Sequence, residues 1–336
     1  MGIQERLAWD VARLEKVVRS LETERRRFTA DDVITMFHKL TKESSLFTFM
    51  HGVIAQLKQL GKVRTSETYT ATLKSFMDFQ DEQDVPLDGI TSDMMLMYEA
   101  YLKTRELRMN TISFYMRNLR AVYNRAVEKG LTAQQYPFRH VYTGVDKTVK
   151  RAIPIKAIKA LKDLDLATNL TLDFARDMFM FSFYTRGMSF VDMAYLKKTD
   201  LQNGMLTYRR RKTGQELSIK WEKCMAEIIA KYPENKTGFL LPIIKEQGDE
   251  RRQYDNALHL VNYRLKELST MLKLQRPLTM YVARHSWASA AKAKNVPLSV
   301  ISEGMGHDSE TTTQIYLASL ETSVVDKANK MILGLL

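Results

Sequence analysis

Cysteine is almost missing from this chain of 336 residues, Cys224 being the single instance. A lone thiol excludes an internal disulfide framework and a zinc site built on paired thiolates, and it suits a reducing compartment. Proline and glycine are also scarce, at seven and fourteen, which removes the collagen-like and low-complexity classes. Long apolar runs are lacking too. The most apolar stretch, Met178 to Tyr184, falls well short of the roughly 20 residues a membrane-spanning helix needs. The start, Met1-Gly2-Ile3-Gln4-Glu5-Arg6, has no apolar signal core and puts Arg6 where N-myristoylation wants Ser or Thr. The expected location is therefore the cytoplasm.

Positive charge is what the chain has in excess. Lys and Arg number 51 against 39 Asp and Glu, a formal net charge of +12. Such a surplus suits a polyanion, nucleic acid first and an anionic membrane second. Hydrophobic residues at 45% and charged residues at 27% describe a folded globular chain, and the length fits two domains of ordinary size.

Helical periodicity dominates the first half. Leu7, Val11, Leu14, Val17, Val18 and Leu21 recur at helical spacing, and Thr29 to Asp32 can start a second helix. Thr65 and Ser66 are cap candidates for a helix carrying Tyr69, Leu73, Phe76 and Met77. Thr91-Ser92-Asp93 opens the next helix, and Asn110 begins another that stops at Gly130. That last helix buries Ile112, Tyr115, Leu119, Val122, Tyr123 and Ala126, and its other side carries Arg117, Asn118, Arg120, Asn124 and Arg125. Tyr136 to Pro154 has little periodicity, contains Gly144 and bears Lys147, Lys150 and Arg151.

The second half opens with helices over 155–164 and 170–186, the latter apolar almost all round. A hairpin follows, Met205 to Arg211 and Glu216 to Trp221 around a turn at Lys212-Thr213-Gly214-Gln215. Helices are expected at 256–272, at 281–294 and after Pro297, the last ended by Gly304 and Gly306. Five segments result: a helical extension (1–40), a helical domain (41–135), a basic linker (136–154), a mixed but mostly helical domain (155–320) with a small antiparallel sheet, and an amphipathic C-terminal helix (321–336). The fold class is mainly α.

A few residues carry chemistry. Arg186 follows a buried helix directly, so its guanidinium needs an anionic partner; Asp192 or a ligand would serve. Arg284 poses the same question within Tyr281-Val282-Ala283-Arg284-His285-Ser286-Trp287. Lys212 sits at a hairpin tip after Arg209, Arg210 and Arg211, where a solvated basic tip is the plain reading. His307 lies just past a helix end in Gly304-Met305-Gly306-His307, a place for a capping imidazole. Tyr316, one of fifteen tyrosines, means nothing alone.

Taken in order, these residues resemble one family. An Arg after an apolar helix, a Lys on a hairpin, the Arg of Ala283-Arg284-His285-Ser286, then Gly306-His307 followed by Thr312 and Tyr316 is similar to the motif series of the tyrosine recombinases, or phage integrases. The likeness is strongest over 150–320, and the helical N-terminal part resembles the family's SAM-like core-binding domain less specifically. The resemblance implies DNA strand cleavage and rejoining through a 3′-phosphotyrosine and a Holliday junction, with no metal, cofactor or ATP. Tyr316 would be the nucleophile, Arg186 and Arg284 would hold the phosphate, Lys212 would protonate the leaving 5′-hydroxyl, and His307 would bond the phosphate or assist Tyr316.

Two departures stand out. Tyr281 occupies the place of a usual histidine; a phenol can donate a hydrogen bond but is a poor base near neutral pH, so Tyr281 is expected to support the site and His285 to be structural. Asp192 stands where the family has an acidic residue, but Gly187-Met188-Ser189-Phe190 space it more widely from Arg186 than usual, leaving it a supporting residue. The expected DNA contacts are Arg117, Arg120, Arg125, Lys147, Lys150, Arg151, Arg209, Arg210 and Arg211. The expected partners are double-stranded DNA with paired half-sites, three further copies of the chain in a tetramer on that DNA, and a host accessory DNA-bending protein where the element uses one. No membrane partner is expected, and the location narrows to the nucleoid. The C-terminal helix either folds back on its own domain or docks on a neighbouring subunit. A type IB topoisomerase, a catalytically silent DNA-binding protein of the same fold and a metal-dependent transposase are the alternatives.

Overall fold

The computed structural model describes residues 3–23, 27–43, 45–146, 151–307, 309–317 and 333, without the side chains of residues 3–6, 9, 13, 16, 38–43, 315 and 316. Lys147, Lys150, Asp308 and the expected C-terminal helix at 321–336 lie outside the described residues, Leu333 apart. The chain divides into two compact units, Met1–Thr148 and Val149–Leu336.

The first unit is helical: α1 (Ile3–Thr23), α2 (Ala30–Glu43), α3 (Leu46–Gln59), α4 (Val63–Phe79), α5 (Ser92–Thr104) and α6 (Met109–Glu128). α6 shows why. Ile112, Met116, Leu119, Val122, Tyr123 and Ala126 fall on one face and are buried. The helix stops at Gly130, whose φ of +66 turns the chain so that Leu131 N–H donates to Ala126 O at 2.9 Å. Thr91 caps α5 as expected, its hydroxyl accepting from Met94 N–H at 3.2 Å. α4 starts earlier than Thr65; Ser66 is buried in its first turn and donates to Val63 O at 2.7 Å. The core joins α3 through α6, with Phe76 edge-on to both Phe47 and Tyr98. Phe138 and Val141 belong to that core, so this part of the expected linker packs on the first unit. Of the apolar stripe in α1, Val17 and Leu21 are buried whereas Leu7, Val11 and Leu14 are exposed.

The second unit is organised around α8 (Leu170–Tyr184), preceded by α7 (Ile155–Lys162). Asn169 caps α8 by accepting from Leu172 N–H at 3.2 Å. Ala175, Met178, Phe179 and Phe181 are wholly enclosed, as a helix apolar almost all round requires. α9 (Phe190–Ala194) leads to an antiparallel sheet of β1 (Leu201–Gln202), β2 (Met205–Arg209) and β3 (Glu216–Lys220), in that order. The two-residue β1 was not legible as a strand. Leu206 pairs with Ile219 and Tyr208 with Leu217, so one face of the hairpin is apolar and buried. There follow α10 (Lys223–Ala230), α11 (Glu250–Met271), α12 (Met280–Ala293), α13 (Leu298–Met305) and α14 (Glu310–Leu317). α11 begins before the expected residue 256 because Asp249 caps it, accepting from Arg252 N–H at 3.2 Å. α11 and α12 both pack on α8, and α14 packs on α13 and α12. Among the described residues no helix is long and apolar enough to cross a membrane.

Candidate active site

Two helix ends in the second unit form the frame of the site. At the end of α8, Gly187 N–H reaches back to Ser182 O at 2.8 Å, closing the helix through a left-handed Arg186 with φ of +60. At the end of α13, His307 N–H reaches Ser302 O at 3.0 Å and Gly306 N–H reaches Glu303 O at 2.9 Å, through a left-handed Gly306 with φ of +63. The second is the paired closure of a Schellman motif. Gly304, expected to end α13 together with Gly306, lies inside the helix instead.

Arg284, projecting from α12 and 6% exposed, joins the two ends. Its Nη1 donates to Gly187 O at 2.8 Å and its Nη2 to Met305 O at 2.6 Å. The Met305 carbonyl is one of the orphan acceptors that the end of α13 leaves, and a buried cation there is favoured by the helix dipole. The approach is so close that a Cβ on Gly187 would stand 2.6 Å from Arg284 Cα. Arg284 Nη2 also lies 3.1 Å from His307 Nε2, and His307 Nδ1 lies 2.7 Å from Thr313 Oγ1. A guanidinium only donates, so Nε2 must accept; the imidazole in this arrangement is neutral, with its proton on Nδ1 directed at Thr313.

Arg186 is brought to the same place, its Cδ 3.6 Å from where a Cβ on Gly304 would stand. Its half-buried guanidinium has no hydrogen-bond or ion-pair partner among the described residues. The pairing with Asp192 considered from the sequence is not formed. Asp192 is buried and instead accepts from Ser189 Oγ at 2.6 Å and from Arg211 N–H at 2.9 Å, with Arg210 Nε 3.9 Å away. Burial pushes the Tyr208 hydroxyl up, Asp192 adding to the shift while Arg284, Arg210 and Arg186 oppose it, so this tyrosine of β2 registers all four charges.

Tyr316 lies in the last turn of α14. The next residue, Leu317, is buried against Ala288, Ile301 and Met305, and its carbonyl accepts from Lys292 Nζ at 3.1 Å. The backbone carrying Tyr316 is thereby anchored to α12 and α13. Lys212 is exposed on the β2–β3 turn, with no partner among the described residues. Tyr281 is largely exposed, stands edge-on to His285 with centroids 4.6 Å apart, and lies under the Arg151 guanidinium at 5.4 Å. Burial, then Arg151 and Arg284, push His285 down to about 4. It is uncharged near neutral pH, in keeping with a structural residue.

The expected DNA contacts divide. Arg117, Arg120, Arg151, Arg209 and Arg211 are exposed, Arg209 beside Glu216 at 3.2 Å and Arg211 over the Tyr195 ring at 3.8 Å. Arg125 is half-buried over Tyr69, and Asn118 turns inward to Thr72 at 2.8 Å. Arg210 is a correction. It is 7% exposed and donates to Gly306 O inside the unit, because alternation along β2 sends every second residue inward. Thr313 is a site-lining residue that sequence reasoning missed, and Arg210 is one it assigned to DNA instead of to the interior. Alternation from Leu206 and Tyr208 was a usable signal for Arg210; three consecutive threonines hid Thr313.

Residues 45–141 match the phage integrase SAM-like domain and residues 156–322 match the phage integrase family. Over 257 residues the chain is 22% identical to tyrosine recombinase XerC of Leptospira interrogans serogroup Icterohaemorrhagiae serovar copenhageni, spanning 76% of this chain and 82% of that protein. The Tn1549 transposon integrase in complex with a circular intermediate DNA has a TM-score of 0.61 at 13% identity, over 86% of this chain and 99% of that one. A lambda integrase tetramer bound to a Holliday junction has a TM-score of 0.61 at 15% identity, over 84% of this chain and 80% of that one. At such identities the two structures speak to the fold.

Proposed function

The chain belongs to the phage integrase family of tyrosine recombinases, enzymes of site-specific recombination, and we propose that Tyr316, Arg186, Arg284, His307 and Lys212 are the residues through which it cuts and rejoins DNA. The observation that carries this reading is Arg186, without a partner among the described residues, brought beside Gly304 in α13, whose end also holds the Arg284–His307 pair. Two guanidiniums brought to one helix end repel each other unless an anion lies near both, and a phosphodiester is such an anion.

The Tyr316 oxygen attacks phosphorus as the bond to the 5′-oxygen breaks. The phenol proton leaves to solvent, and the 5′-oxygen takes a proton from Lys212. The 3′-phosphotyrosine conserves the bond, so rejoining needs no ATP. Arg186 and Arg284 take up charge that concentrates on the non-bridging oxygens. His307, oriented by Thr313, holds the Arg284 fork in direction, while Tyr281 and Asp192 support the site from either side. Arg117, Arg120, Arg151, Arg209 and Arg211, with Lys147 and Lys150, meet the DNA backbone.

Two half-sites call for paired protomers and a Holliday junction for four. The lambda integrase tetramer on such a junction supports that assembly here. The segment after Tyr316 would link the protomers, a DNA-bending host protein would assist where the two sites lie far apart, and the enzyme would work on the nucleoid. The Tn1549 relative supports a place on a mobile element. The topoisomerase alternative is not favoured, since the curated relative is a recombinase. A nicked suicide substrate tests the core of this reading: Tyr316→Phe should bind DNA as before and form no covalent adduct. An adduct formed by that variant would assign the nucleophile elsewhere.

A further inference from the structure

Arg210 stands at the root of the turn that carries Lys212. Its N–H donates to Gln215 O and its carbonyl accepts from Gly214 N–H, both at 2.8 Å, so residues 210–215 close on themselves. Its side chain leaves the turn and enters the protein, donating Nη1 to Gly306 O, with Nε 3.9 Å from Asp192 Oδ2. Gly306 is shaped to receive it: a Cβ there would lie 2.7 Å from Arg210 Cδ. The next residue is held as well, Arg211 N–H by Asp192 Oδ1 at 2.9 Å and its guanidinium by the Tyr195 ring at 3.8 Å. Lys212, one residue further, is exposed and has no partner among the described residues.

A buried guanidinium is a costly way to hold a turn, and an apolar side chain of like volume would serve stability as well or better. What the planar fork adds is direction, because it fixes the turn against one chosen carbonyl. That carbonyl belongs to the residue immediately before His307. We infer that Arg210 is a positioning residue for Lys212, seated between Asp192 and the Gly306 carbonyl so as to register the Lys212 turn against the segment bearing His307. The inference rests on the reading of Lys212 as the general acid. Loosening Arg210 therefore slows proton delivery to the leaving 5′-oxygen and spares the attack on phosphorus.

The test compares two suicide substrates, one with the ordinary 5′-oxygen and one with a 5′-bridging sulfur, whose thiolate leaves without a proton. Arg210→Lys keeps a cation beside Asp192 but lacks the fork, and Arg210→Met keeps the apolar stem; DNA affinity and melting temperature report folding. Lys212→Ala is the benchmark. Both Arg210 variants should cleave the oxygen substrate about tenfold or more slowly, a modest share of what a general acid contributes, and cleave the sulfur substrate at close to the unsubstituted rate. Equal slowing on both substrates, with Lys212→Ala rescued by sulfur, overturns the positioning role. Failure of sulfur to rescue Lys212→Ala removes the general-acid reading first and the inference with it. Should neither Arg210 variant fold, Arg210 is a core residue and the inference is wrong.

Discussion

The ends of α8 and α13 are closed by the same backbone device and occupied by different residues. At α13 the left-handed position is Gly306, which adopts it freely; at α8 it is Arg186, for which that conformation costs roughly 1 kcal/mol or more. Each end receives an arginine from elsewhere, Arg284 at Gly187 and Met305, and Arg210 at Gly306. The α13 end is built for stability and accepts cations. The α8 end gives up some stability to project a cation of its own. Arg186 carries this strain with no partner among the described residues, which is what a residue proposed to hold a phosphate would do.

Replacing the strained residue makes the sharpest test. Arg186→Gly should lower the cleavage rate about 100-fold or more, the scale of losing one donor to a developing oxyanion. It should also raise stability by up to about 1 kcal/mol. Single-turnover cleavage and chemical denaturation read the two effects separately. A variant that loses both rate and stability would show that Arg186 holds the fold.

Next in size are two glycines, Gly187 against Arg284 and Gly304 near Arg186. Gly187→Ala would press a Cβ to 2.6 Å from Arg284 Cα, backbone that cannot step aside, at a φ of +77. A destabilisation of about 1–3 kcal/mol is expected, with cleavage reduced beyond what stability explains. Gly304→Ala meets Trp287 at 3.4 Å and Arg186 Cδ at 3.6 Å, ordinary contacts inside a helix. It should be neutral or stabilising by up to about 1 kcal/mol. Similar losses at both positions in a denaturation series would refute the close approach at Gly187.

The smallest effect concerns His285, next to Arg284. Its value when folded, about 4, lies below the ordinary 6.5, so the folded state resists protonation. The stability it confers is whole above about pH 6.5 and is lost as pH falls toward 4. His285→Gln should flatten this part of the acid limb in a pH series of denaturation curves. An unchanged limb would mean that other groups govern it.

Much of the fold could be read in advance because local pattern and global packing agree. α6 keeps one apolar face from Ile112 to Ala126 and stops before Gly130; α8 is apolar almost all round and its central residues are enclosed; Thr91 caps as its chemistry allows. The hairpin followed from the turn at Lys212-Thr213-Gly214-Gln215 between two extended segments. Other elements were missed for local reasons. α3 opens on Phe47, Thr48 and Phe49 and has Gly52 in its middle, which weakens any helix signal. β1 is two residues long and exists through its pairing with Leu206 and Met205. In α1, the spacing of Leu7, Val11 and Leu14 suggested a buried stripe, yet the residues stay exposed, since periodicity states which residues share a face and not what covers it.

For the site, the amino-acid sequence by itself determined the kinds of group and their order: an arginine after a buried helix, a lysine on a turn, an arginine within a helix, a histidine past a glycine, and a tyrosine after threonines. Glycine at 306 was determined too, because helix closure is a local backbone event. Only the tertiary structure decided which of Arg209, Arg210 and Arg211 turns inward, which of three threonines orients His307, and that Asp192 serves the hairpin instead of Arg186. The physical reason is the range of the interactions. Helices and turns are closed by bonds between residues a few positions apart, whereas Arg210 meets Gly306 across 96 residues and Arg284 meets Gly187 across 97. A buried charge chooses its partner from whatever the folded chain places within hydrogen-bond reach.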